Sequence, residues 1–164
     1  LLLSQRDKLL ILPMLHIVLY QPQIPPNTGN IGRLCVGLDA HLHLIKPLGF
    51  ELTEQAFRRA GLDYWPNLTH TVHESEDDFF DWLKDRQPWL VSKFGKARYF
   101  EQSYVDEDIF VFGRETTGLP EHWHKRFPDR LISIPILGPI RSFNLANTVA
   151  MVLVEATRQI GKFD

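Results

Sequence analysis

Leu15-His-Ile-Val-Leu-Tyr20 is a short apolar run that passes directly into Gln21-Pro-Gln-Ile-Pro-Pro-Asn-Thr-Gly-Asn-Ile-Gly-Arg33, a polar stretch rich in proline and glycine. The first half has the length and β-branched content of a buried strand. The second is a loop shaped by fixed proline φ angles and by glycines that allow close backbone approach, and it leads into a helix over 28–38 with Asn27 or Thr28 as its cap. The same alternation continues outward. Strands are expected at 15–20, 41–45, 68–72, 89–92, 108–112 and 131–134, and helices at 28–38, 51–60, 75–85, 121–127 and 144–160. Strand and helix in alternation predict an α/β fold, a mostly parallel sheet with helices on both faces. Ligands of such sheets bind beyond the carboxyl ends of the strands, which directs attention to the loops that follow them.

The length of 164 residues suits one domain, expected to span 14–164, with residues 1–13 a leader or upstream extension ahead of Met14. Residues 9–20 follow Arg6 and Lys8 as the core of a signal peptide would, but Pro13 and His16 interrupt them and no small-x-small cleavage site follows. No apolar stretch is long enough to span a membrane. Eighteen Lys and Arg against 20 Asp and Glu give a net charge of -2, which excludes a module held on nucleic acid by overall charge. Cys35 is the only cysteine; it excludes an intramolecular disulfide and any multi-thiolate zinc site, and it points to a reducing, cytoplasmic location. Inside the first helix it reads as a buried small apolar residue.

Two further loops stand out. Phe112-Gly-Arg-Glu-Thr-Thr-Gly-Leu-Pro120 has the glycine spacing of a phosphate loop but Leu119 where the lysine belongs, so nucleotide triphosphate binding is discarded. What remains is a tight turn whose main chain can meet a flat heterocycle, with Pro120 opening the next helix. Ile134-Pro-Ile-Leu-Gly-Pro-Ile-Arg-Ser-Phe-Asn-Leu145 leads into the last helix, which Ser142 or Asn144 can cap. That helix is apolar almost all round, which places it in the core or across a subunit interface.

Taken in order, the three stretches resemble the motifs of the knotted α/β methyltransferases that use S-adenosylmethionine, the SPOUT superfamily. Asn27 to Arg33 is similar to the first motif, Phe112 to Pro120 to the second, and Ile134-Pro135 with Ser142-Phe-Asn-Leu145 to the third. The opening Ile-Val-Leu-Tyr-Gln-Pro-Gln-Ile-Pro-Pro-Asn-Thr-Gly-Asn and the segment Arg58-Arg-Ala-Gly-Leu-Asp-Tyr64 resemble the branch that methylates the ribose 2'-hydroxyl of the wobble cytidine or uridine of tRNA.

The resemblance implies a C-terminal deep trefoil knot, a homodimer and a tRNA substrate. It implies S-adenosylmethionine bound by Val91, Ser92, Gly113, Gly118, Ile134 and Ser142, with Arg33, Asn27, Glu115, Ser142 and Asn144 as the catalytic group, and no metal. An arginine keeps its proton, so Arg33 is expected to stabilise the developing alkoxide and the neighbouring phosphate while water or a phosphate oxygen takes the proton. Ala146, Ile140, Gly138 and Arg114 depart from the residues frequent in these motifs. Arg58, Arg59, Lys93, Lys96 and Arg141 are candidates for a phosphate-contacting surface, and the acidic segment 74–85 is expected to face away from RNA. His41/His43 and His122/His124 are i, i+2 pairs for which no third metal ligand is evident. Phe94-Gly-Lys96 and Trp65-Pro66 carry no assigned chemistry. The competing readings are the same reaction on another tRNA position or on ribosomal RNA, a non-catalytic RNA-binding protein of the same fold and, weakest, a dinucleotide-binding oxidoreductase, which would need Gly-x-Gly-x-x-Gly after the first strand.

Overall fold

The computed structural model describes residues 13–52 and 64–164. Among them are seven strands: β1 His16–Tyr20, β2 His41–Ile45, β3 His70–His73, β4 Trp89–Val91, β5 Ala97–Arg98, β6 Ile109–Phe112 and β7 Leu131–Ser133. Four α-helices accompany them: α1 Pro25–Gly37, α2 Glu76–Leu83, α3 Glu121–Arg126 and α4 Leu145–Gln159. The strands form one sheet in the order β3-β2-β1-β6-β4-β7-β5. Every neighbouring pair in it is parallel.

Both faces of the sheet are buried, which is why its strands read as nearly unbroken apolar runs. Ile17 and Leu19 of β1 join Ile31 and Cys35 of α1 and Val149, Val152, Leu153 and Ala156 of α4 in one core cluster. Their alternates Val18 and Tyr20 join Phe79 and Leu83 of α2 and Trp123 of α3 in the other. Successive strand side chains point to opposite faces, so one five-residue strand anchors both layers. Trp123 is fully buried, and its indole N–H donates to Glu76 Oε1, so the ring is buried without losing its hydrogen bond.

The expected alternation holds, with four corrections. α1 begins at Pro25, three residues early, because two prolines occupy its first turn, where their missing N–H groups cost nothing. Ile24 is therefore the cap position, and Asn27 and Thr28 are buried inside the helix. β5 is an additional strand of two residues, too short to carry any periodicity, and it pairs with β7 at the sheet edge. The last helix is one-sided: Val149, Val152, Leu153 and Ala156 are buried, whereas Val154 is about half exposed. The helix expected over 51–60 falls almost wholly on 53–63, outside the described residues, as do Arg58 and Arg59.

Candidate active site

β1 and β6 are adjacent and parallel, so the loops that follow them leave the same edge of the sheet side by side. Three side chains of the second loop stitch the two loops together. Glu115 accepts from the backbone N–H groups of Gln23 and Ile24 at 2.9 and 3.0 Å, one on each carboxylate oxygen. Glu115 thereby satisfies the two N–H groups just ahead of α1, whose first two residues, Pro25 and Pro26, have no N–H to satisfy. Thr116 Oγ1 donates to Gln23 Oε1 at 2.7 Å, and the Arg114 guanidinium donates to Gln21 Oε1 while lying over the Tyr20 ring.

The second loop closes on itself. Arg114 and Gly118 form an antiparallel bridge with N–H···O distances of 3.2 and 2.9 Å. A Cβ on Gly113 would lie 2.3 Å from the Gly118 carbonyl carbon, so only glycine allows the two backbone segments to touch. Gly118 has φ +68, the left-handed region that glycine tolerates, and open space where its Cβ would be. The third loop ends at Asn144, which caps α4: its Oδ1 accepts from Ala146 N at 2.9 Å and Asn147 N at 3.4 Å. Its Nδ2 reaches Asn27 Oδ1 on α1 at 3.0 Å, so one side chain both caps a helix and joins the first and third loops.

Between these loops lies a cleft of about 580 Å³. Of the residues expected from the sequence, it is lined by Asn27, Glu115, Ser142 and Asn144 and by Val91, Ser92, Gly113 and Gly118. Arg33 and Ile134 do not line it. Ile134 packs against the core cluster instead, and Arg33 is on the exposed side of α1. Six residues separate Asn27 from Arg33, which on an α-helix is a rise of about 9 Å and a turn of about 240°, so the two cannot face one cleft. Lys93 and Arg141, expected on a phosphate surface, line the cleft and give it two exposed cations.

Two lining residues, Phe94 and His124, are given no role at this site by the sequence. His124 Nε2 lies 3.0 Å from Ser92 Oγ, and the Phe94 ring stands edge-on to the imidazole. Burial lowers the His124 pKa from its ordinary value, with Glu121 opposing that shift, which favours a neutral ring at the cleft wall. The paired histidines of this helix diverge, because positions two apart on an α-helix lie on nearly opposite sides: His122 turns away to Glu76 Oε1 at 2.7 Å.

The donor set fits S-adenosylmethionine. Val91, Phe112, Leu119 and Leu145 supply an apolar wall, and the glycine turn offers main-chain groups at close range to a heterocycle. A parallel α/β sheet with such a turn at its carboxyl edge defines the class of α/β proteins that bind a cofactor beyond the ends of their strands. The chain belongs to the SpoU rRNA Methylase family, whose model matches residues 14–154. It is 45% identical over 147 residues to a tRNA (cytidine(34)-2'-O)-methyltransferase of Methylovorus glucosotrophus, covering 89% of this chain and 96% of the relative. It is also 45% identical over 152 residues to the Burkholderia cenocepacia enzyme of that name, covering 90% and 97%. A solved structure described as structural insights into the 2-OH methylation of C/U34 on tRNA superposes with a TM-score of 0.83 at 43% identity, covering 90% of this chain and 96% of the other.

Proposed function

We propose that the protein transfers a methyl group from S-adenosylmethionine to the ribose 2'-hydroxyl of the wobble cytidine or uridine in tRNA, and that it does so as a homodimer. The observation that carries this reading is the convergence of three separated loops on one cleft, held by Glu115, Asn144 and the Gly113–Gly118 turn. The relatives named above, alike over nearly their whole lengths, supply the substrate.

S-adenosylmethionine supplies a methyl group on a sulfonium, a leaving group good enough that alignment governs much of the rate. Val91, Ser92, Gly113, Gly118 and Ser142 hold the cofactor. Asn27 and Asn144 set the floor on which the ribose sits. Glu115 acts as a positioning residue, since both its oxygens are engaged by the first loop. Lys93 and Arg141 meet the phosphates beside the target nucleotide, and contacts of that kind orient the RNA rather than read its sequence. Arg33 stabilises the oxyanion that forms as the proton passes to water or a phosphate oxygen.

Because Arg33 lies outside the cleft of its own chain, the homodimer places it at the cleft of the other copy. Apolar residues exposed on the elements around the cleft support such an interface: Ile24 ahead of α1, Leu137 and Ile140 in the third loop, and Val154 on α4. The C-terminal part is threaded as a deep trefoil knot. Supporting this, β7 lies between β4 and β5, so the chain re-enters a part of the sheet already laid down.

Transfer of labelled methyl from S-adenosylmethionine to bulk tRNA, followed by nuclease digestion and mass spectrometry, tests the reading. Label in 2'-O-methylribose at the wobble nucleotide, lost in Arg33→Ala, is the expected result. Label elsewhere in tRNA or only in ribosomal RNA moves the substrate but keeps the chemistry. Cofactor binding without transfer to any RNA overturns the enzymatic reading.

A further inference from the structure

We propose that His16, His41 and His43 form a binding site for a late first-row transition-metal ion such as Zn²⁺, at the end of the sheet opposite the cleft. His16 and His41 begin β1 and β2 and are register partners, and His43 follows on the same face. One ring nitrogen from each of the three lies within 4.8 Å of the others. His16 Nδ1 and His43 Nε2 are 2.9 Å apart. Tetrahedral coordination at Zn–N distances of about 2.0–2.1 Å places ligand nitrogens roughly 3.3 Å from one another, so an ion would replace this hydrogen bond with a small outward shift.

The other ring nitrogens of His41 and His43 have polar partners, and because these two rings stack 17° from parallel with centroids 4.0 Å apart, the partly exposed His41 ring must turn for both to face one ion. His41 Nε2 lies 2.8 Å from Thr71 Oγ1, and His43 Nδ1 lies 2.9 Å from His73 Nε2. A ligating histidine ordinarily gives its second N–H to such an acceptor, which fixes both ring angle and tautomer. His43 is fully buried beneath Trp82, whereas His16 and His41 are partly exposed and leave a path for an ion and a solvent ligand. Burial keeps all three rings in the neutral state that coordination needs.

The ligand set has no carboxylate, and the Arg86 guanidinium stands close enough to disfavour protonation of His16 and His43. Arg86 is itself held over the Trp82 ring, 4.0 Å from its centroid, and donates to Leu83 O at 2.9 Å. Three neutral imidazoles beside a fixed positive charge exclude Mg²⁺ and Ca²⁺, which need anionic oxygen ligands, and select ions whose bonds to nitrogen are strong. An ion here would tie β1 to β2 without entering the methyl-transfer cleft.

Co²⁺ titration of the untagged, metal-stripped protein, read by visible ligand-field absorption and reversed by Zn²⁺, provides the test. The expected result is one Co²⁺ per chain with the intense bands of four-coordinate geometry. His16→Gln and His41→Gln should each weaken binding at least roughly tenfold. Both retain native circular dichroism, since neither ring is fully buried, and His122→Gln binds as the parent does. Absence of stoichiometric binding, or binding unchanged in both His16→Gln and His41→Gln, overturns the proposal. Methyl transfer is measured in parallel; its presence or absence bears on the cleft alone.

Discussion

Asn144 Nδ2 donates to Asn27 Oδ1 across 117 residues of sequence, while Asn144 Oδ1 caps α4. The two roles separate by substitution. Serine keeps a capping oxygen but is too short to reach Asn27, so Asn144→Ser should lose only the bridge, about 1 kcal/mol of stability. Its methyl transfer should fall by roughly tenfold or more, the loss expected when a positioning contact in a reaction site is removed. Asn144→Ala loses both functions and should be destabilised by about 2 kcal/mol. Urea unfolding beside single-turnover kinetics checks the pair; equal turnover in Asn144→Ser and the parent would remove the bridge from the mechanism.

The two glycines of the second loop should respond differently to alanine. At Gly113 the new methyl group would sit 2.3 Å from backbone, so the turn must open and S-adenosylmethionine binding should be abolished in calorimetry. Gly118 has room for a methyl group but a positive φ, so Gly118→Ala should cost about 1–2 kcal/mol while cofactor binding is only weakened.

Mixing two inactive variants tests the shared site. On the proposed dimer, Arg33→Ala removes the residue offered to the partner's cleft, and Gly113→Ala removes the cofactor site of its own chain. After unfolding and refolding together, statistical mixing in a twofold dimer should restore roughly a quarter of the parent activity. Mixtures that stay inactive would place Arg33 at the cleft of its own chain.

Stability should fall in mild acid. Burial holds His16 at about 3 and His41 at about 4, against 6.5 for a free imidazole. It also lowers His43 and His73. As pH drops below 6.5 the unfolded chain takes up protons that the native state refuses, so this contribution is complete at neutral pH and is lost towards pH 4 and 3. Each such histidine adds a slope of about 1.4 kcal/mol per pH unit in that window. Urea midpoints measured with a chelator present should decline steadily from about pH 7 to about pH 5. A flat profile would show that these rings protonate in place.

The sheet was legible because a strand buried on both faces has few alternatives to an apolar run, as Ile17–Tyr20 of β1 and all of β6 show. β5 was not, because Ala97 and Arg98 have no pattern of their own and become a strand only by lying against Ile132 and Ser133. The three loops could be picked out by their Pro, Gly, Ser and Asn content. The partner of each residue in them could not: Glu115 reads locally as a free carboxylate, and its engagement by Gln23 and Ile24 depends on a fold that brings together residues 91 and 92 apart. Separations of 27 and 32 residues likewise hid His16 from His43 and His124 from Ser92.

The length of those separations orders events in time. Pairing of β1 with β6, the staple from Glu115 and the reach from Asn144 to Asn27 all join segments made at different stages of synthesis. Closing such large loops is entropically unfavourable until the intervening sheet has formed, so a cleft able to hold the cofactor is expected only once the sheet is complete. Cofactor binding then reports only finished molecules. It also stabilises them against global unfolding, by an amount that grows with the logarithm of cofactor concentration.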